Sequence, residues 1–102
     1  MASSATDKSS SVITRVETDD DTLTAELSDG RTIKVPLDWY PRLAEGAAAE
    51  RAKYRLIGGG SGIHWPALDE DVSLDNLLEG RKSAESQASF DKWLKTRAAS
   101  AK

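Results

Sequence analysis

The stretch Thr22-Leu23-Thr24-Ala25-Glu26-Leu27-Ser28-Asp29-Gly30-Arg31-Thr32-Ile33-Lys34-Val35 decides the fold. Its first six residues alternate strictly, with Leu23, Ala25 and Leu27 on one side, as a half-buried strand requires. Ile33 and Val35 share a side in the last five. A two-residue Asp29-Gly30 turn would set Leu27 opposite Thr32 and send the two apolar sets to opposite faces. A three-residue loop, Ser28-Asp29-Gly30, pairs Leu27 with Arg31, Ala25 with Ile33 and Leu23 with Val35, so the faces agree. Gly30 then takes the left-handed position of a bulged loop. That register is the one expected.

Toward the N-terminus, Val12-Ile13-Thr14-Arg15-Val16-Glu17-Thr18 is β-branched and partly alternating, and Asp19-Asp20-Asp21 supplies a polar turn. The three segments make an antiparallel meander. Residues 1–11 are polar, rich in Ser and Ala, and lack the apolar stretch of a secretion signal. They are expected to form a disordered arm.

Toward the C-terminus, Pro36 ends the third strand because it has no N–H to donate. Residues 37–43 suit a turn or short helix, and 44–53 a short helix interrupted or started near Gly46. Tyr54-Arg55-Leu56-Ile57 is strand-like. Gly58-Gly59-Gly60-Ser61-Gly62 and Ile63-His64-Trp65 follow, as one hairpin or one strand kinked by glycines. Ser73 suits the N-cap of a helix over 74–79, with Asp75 at its positive end and Gly80 as its stop. Residues 83–98 have helical composition, and Phe90, Trp93, Leu94 and Arg97 fall on one stripe.

Composition narrows the function. The chain has 102 residues, room for one domain without a deep enclosed pocket. The net charge of -3 gives no global attraction to nucleic acid or anionic membrane. That average hides an asymmetry: residues 1–80 hold 8 Lys/Arg and 15 Asp/Glu, while 81–102 hold 6 and 2. An acidic body carries a basic tail. With no cysteine, disulfides, thiolate nucleophiles and cysteine–metal sites are excluded, which fits a reducing compartment. No apolar run approaches the roughly 20 residues of a membrane helix. The expected location is cytoplasmic.

Two runs carry a resemblance. Leu37-Asp38-Trp39-Tyr40-Pro41-Arg42-Leu43 is similar to an aromatic–Pro–Arg–Leu segment, and residues 57–71, with Ile63-His64-Trp65-Pro66 and Leu68-Asp69-Glu70-Asp71, to a signature, of the bacterial domain-of-unknown-function family 2442. The resemblance covers about residues 12–80. It implies a small α+β domain whose function is not established. It also implies antitoxin-like pairing with another small protein in some members, and a following helix-turn-helix in others. The 22 residues after Gly80 are too few for that second module.

Each candidate site has a plainer explanation. His64 with Asp69, Glu70 and Asp71 could bind a metal and assist hydrolysis. With one His and no Cys, the preferred reading is that His64 packs or hydrogen-bonds beside Trp65 while the acids cap the helix at Ser73. The glycine run lacks the following helix and the lysine of a phosphate loop, so it reads as a hairpin turn. Ser61, His64 and Asp69 do not form a nucleophile-elbow pattern. Trp39, Tyr40 and Trp65 suit a binding surface or a core. Core is preferred for Trp65, and Trp39 and Tyr40 are evenly divided. The Phe90–Trp93–Leu94 stripe suits docking on its own domain or in a partner's groove.

The expected fold is α+β: a three-stranded antiparallel meander, a further strand or hairpin, short helices and a C-terminal helix. Residues 1–11 form the arm, 12–80 the domain and 81–102 the basic helix or tail. The expected function is non-catalytic protein binding by a monomer or homodimer, in its narrower form as the antitoxin-like partner of another small protein. Candidate binding residues are Trp39, Tyr40, Arg42, His64, Trp65, Phe90 and Trp93, with no cofactor and no metal. The alternatives are a nucleic-acid-binding regulator using the basic tail and, below it, a metal-dependent enzyme centred on His64.

Overall fold

Alternating apolar residues fold the N-terminal half into the meander. The computed structural model describes residues 11–100. Strands β1 (Ile13–Thr18), β2 (Thr22–Leu27) and β3 (Thr32–Pro36) form one sheet in the order β1-β2-β3. The β2–β3 register pairs Leu23 with Val35 and Ala25 with Ile33. The amide of Leu27 donates to the carbonyl of Arg31 at 2.9 Å, closing the Ser28-Asp29-Gly30 loop, with Gly30 at φ 95°. Between β1 and β2 the register slips between Ile13 and Arg15. This bulge lets Ile13 and Val16 both face the core although they are three apart. The Asp19 carboxylate accepts from the amides of Asp21 and Thr22 at 2.8 and 2.7 Å, which fixes the β1–β2 turn.

Most of the expected arm, residues 1–10, lies outside the described residues. Ser11, its last residue, is buried, and its hydroxyl donates to the Asp29 carboxylate at 2.8 Å.

After a 3-10 turn over Leu37–Trp39, helix α1 (Pro41–Glu45) starts on proline, which suits a first turn that needs no N–H donor. Helix α2 (Ala48–Arg51) follows Gly46, and Glu50 reaches back to accept from the Ala47 amide at 2.8 Å. Strands β4 (Arg55–Ile57), β5 (Gly62–Trp65) and β6 (Glu70–Ser73) form a second antiparallel sheet in that order. The glycine run is the β4–β5 turn. Gly60, at φ 103°, lies so close to β1 that an added Cβ would sit 2.8 Å from both the Ile13 carbonyl oxygen and the Val12 Cβ. Helix α3 (Leu74–Glu79) is capped by the Ser73 hydroxyl, which accepts from the Asn76 amide at 3.0 Å, and Gly80 ends it. Helix α4 (Gln87–Ser100) completes the chain.

One expectation needs correction. Asp69-Glu70-Asp71 does not cap α3: Glu70 and Asp71 are residues of β6, paired with Trp65 and His64. The cap is supplied by the Ser73 side chain.

Both sheets share one core. β1, β2 and β3 give it Ile13, Val16, Leu23, Ala25, Leu27 and Val35; β5 and β6 give Ile63, Trp65 and Val72; Leu37, Tyr40, Leu43, Leu68, Leu74 and Leu77 fill the rest. Trp65 is fully buried, and its indole N–H donates to the Arg51 carbonyl at 3.0 Å. Arg51 is itself buried and donates to the carbonyls of Leu43 and Gly46 near the end of α1. A guanidinium thus adds a donor at a helix end, where intrahelical donors run out.

Candidate functional site

The two sequence runs that carry the family resemblance meet in space. Arg42 on α1 donates from Nη1 to the Asp69 carbonyl at 2.9 Å, where Asp69 bends through a left-handed conformation (φ 52°) just before β6. The same guanidinium grips Glu85, with Nε at 2.9 and 3.0 Å from the two carboxylate oxygens and Nη2 at 2.5 Å. Their side chains are only 15% and 11% exposed, so this pair works in a weakly screened setting. Hydrogen bonding from Arg42 holds the Glu85 carboxyl below its ordinary range. Glu70, half-buried nearby, is pushed up to about 7, chiefly by burial; Arg42 opposes the rise, and Glu85 and Asp71 add to it. Tyr40 is buried and its hydroxyl donates to the Arg81 carbonyl at 2.9 Å. Burial, then the charge of Glu70, raises the phenol above its usual value.

This cluster fastens the C-terminal segment to the domain. The Ser83 amide donates to the Trp39 carbonyl at 2.9 Å. Trp93 packs against the core, and the Arg42 and Arg97 guanidinium carbons lie 5.0 and 5.1 Å from its ring centroid. Arg97 also binds Glu50 at 2.6 and 3.1 Å and holds that carboxyl below its ordinary range. Phe90 stacks on Trp93 with centroids 5.8 Å apart. Trp93 of the Phe90–Trp93–Leu94 stripe therefore docks on its own domain, carrying Phe90 on its ring, while Leu94 lines a groove of about 710 Å³ together with Glu45, Glu50 and Ala67. Of the tail's cations, Arg97 pairs with Glu50, Arg81 with Glu79, and Lys82 lies 6.0 Å from the Trp39 ring.

His64 and its neighbouring acids separate. His64 Nδ1 lies 2.5 Å from an Asp71 carboxylate oxygen, a cross-strand pair on the outer face of the second sheet. Asp69 is held by Arg42, and Glu70 faces the opposite side of β6 from Asp71. No group of three His, Cys, Asp or Glu among the described residues is arranged to hold a metal. Trp65 and Tyr40 are core residues, whereas Trp39 is only partly buried.

The exposed apolar surface lies elsewhere. Leu56 and Ile57 are 37% and 40% exposed, and all three residues of β4 are open to solvent. β4 is an edge strand: β5 covers one side, through Arg55–His64, Leu56–Ile63 and Ile57–Gly62. Among the described residues no backbone hydrogen bond reaches its other side. The strand is legible in Tyr54-Arg55-Leu56-Ile57; its place at a sheet edge is not. The signal available was the pair of large aliphatics beside a glycine turn in a segment with no apolar alternation.

Two small antiparallel sheets around one core, with the C-terminal segment clasped by an Arg–Glu pair, define a small α+β domain. The chain belongs to the family described as protein of unknown function DUF2442, whose profile matches residues 13–83. The fold is similar to that of a protein of unknown function from Rhodospirillum rubrum, with a TM-score of 0.64 and 24% identity over 76% of this chain and 94% of that one. It is also similar to an uncharacterised protein from Chromobacterium violaceum, with a TM-score of 0.64 and 23% identity over 79% of this chain and 76% of that one. No curated protein matches the chain. Among the described residues no helix is long and apolar enough to cross a membrane.

Proposed function

We propose that the protein is a non-catalytic protein-binding module whose docking element is the free edge of β4. The observation that carries this reading is the exposure of Leu56 and Ile57 on a strand with hydrogen-bonding capacity left on one side. Such an edge accepts an added strand, with backbone bonds giving affinity and side chains giving specificity. The separate engagements of Asp69 with Arg42 and of Asp71 with His64 support the non-catalytic part of the reading. The family resemblance supports the narrower form, the neutralising half of a two-protein pair.

The test compares the full chain with a Leu56→Lys/Ile57→Lys variant in capture of a stoichiometric partner from native lysate. Both positions are more than a third exposed, and circular dichroism checks that the variant keeps its fold. Loss of the partner supports the reading. Retention of the partner by the folded variant contradicts it.

A further inference from the structure

We infer that the β4 edge takes an acidic, apolar strand of another protein, paired antiparallel to β4. This rests on the reading of β4 as the docking strand and adds the chemistry of what docks there. Lys53 and Arg55 are exposed, and neither forms an ion pair among the described residues. Arg55 on β4 and Lys53 in the turn just before it precede the exposed Leu56 and Ile57, so the free edge and its entry offer two unpaired cations followed by two aliphatics. This basic edge belongs to a chain of net charge -3, which makes it a local complement to negative charge.

The register sets the order of the partner's residues. Leu56 lies in the cross-strand row with the buried Ile63 and Val72, so it sits at the rim of the core face. Arg55 and Ile57 lie on the outer face, in the rows of His64 and Gly62. Antiparallel pairing, the more stable ladder per residue, places successive partner residues opposite Ile57, Leu56 and Arg55; beyond the ladder the partner runs past Tyr54 to Lys53, whose amide is held in a turn by the Glu50 carbonyl at 3.3 Å, so Lys53 contributes its side-chain charge alone. Read from its N-terminus, the partner strand is apolar, apolar, acidic, unrestricted, acidic. Direct opposition of acid and base across a ladder is favourable, and opposition of like charges is not. A second copy pairing about Leu56 would set each Arg55 opposite Ile57 and leave both cations without a counter-charge, so it fits the edge less well.

The test titrates two capped peptides, Thr-Val-Val-Glu-Thr-Glu-Thr and Thr-Val-Val-Lys-Thr-Lys-Thr, into the full chain at low salt and follows backbone amide signals by NMR. The acidic peptide is expected to shift the amides of residues 55–57 and to bind about tenfold more tightly than the basic one, from one favourable cross-strand pair at Arg55 and one flanking charge pair at Lys53, both replaced by repulsive ones. A Lys53→Glu/Arg55→Glu variant is expected to reverse the order. Equal binding of the two peptides, shifts elsewhere, or no shift at millimolar peptide overturns the inference. So does a concentration-dependent dimer in sedimentation that Leu56→Lys abolishes, because the edge then serves a second copy. The docking-strand reading is judged separately by partner capture with Leu56→Lys/Ile57→Lys, so the acidic strand can fail while the edge itself stands.

Discussion

Glu70→Gln is expected to remove a loss of stability that the wild-type chain suffers between about pH 5 and pH 8. Glu70 stands on β6 with its carboxyl half-buried, facing Arg42 and Glu85. Burial pushes it from 4.5 to about 7, so the folded chain holds this proton more tightly than the unfolded chain. For such a group stability falls as pH rises from the unfolded value to the folded one, and the loss is complete above about 7. The shift converts to at most ~3 kcal/mol. Glu70 keeps contact with water, so screening reduces the effect to about 1–2 kcal/mol. Glu85 and Glu50 are shifted the other way and act only at lower pH, where their stabilisation is lost as pH falls through their depressed values. The assay is urea unfolding at pH 5, 6, 7 and 8, followed by tryptophan fluorescence. The difference between Glu70→Gln and wild type is expected to grow in the variant's favour by about 1–2 kcal/mol across that range, roughly 4–12 °C in Tm for a domain of this size. A difference that stays flat with pH refutes the reasoning.

Arg42→Ala is expected to cost about 2–4 kcal/mol in urea unfolding, because it strands the nearly buried Glu85 carboxylate. Adding Glu85→Gln is expected to recover part of that loss. Gly60→Ala is expected to cost about 2 kcal/mol or more, since its Cβ would meet β1 backbone, whereas Gly59→Ala, with open space around it, is expected to cost only about 1 kcal/mol. Trp93→Ala is expected to free α4 while leaving the sheets folded. Trypsin cleavage after Lys92 and Lys95 then accelerates several-fold while the strand signal in circular dichroism is kept, and an unchanged cleavage rate refutes the docking role of Trp93.

The sequence exposes structure wherever local pattern and packing agree. The Ser28-Asp29-Gly30 loop is legible because only one register puts Leu23, Ala25, Ile33 and Val35 on the same face. Ser73 and Gly80 mark α3 through cap chemistry that needs no tertiary partner. The Phe90–Trp93–Leu94–Arg97 stripe is legible from helical spacing, although its seat depends on distant Arg42 and Glu50. β6 is hidden because Val72 is its one apolar residue, and three consecutive acids before a serine imitate a helix start. The bulge at Thr14 breaks the period of two, so Ile13 and Val16 do not advertise a shared face. Arg51 looks like a surface cation until Trp65 and the α1 carbonyls surround it. The candidate site is divided in the same way. Arg42 and the acids at 69–71 stand out as residues, but their union with Glu85 spans 43 positions and depends on the whole fold. The free edge of β4 is a property of sheet order, which no local pattern carries.

The most direct measurement is amide hydrogen exchange of residues 55–57 in the free chain and in complex with the protein it captures. The account predicts fast exchange on the open side of β4 when free and strong protection there on binding, with little change around Trp39 and α4. Protection confined to Trp39 or α4, with β4 exchanging as fast as before, would contradict it.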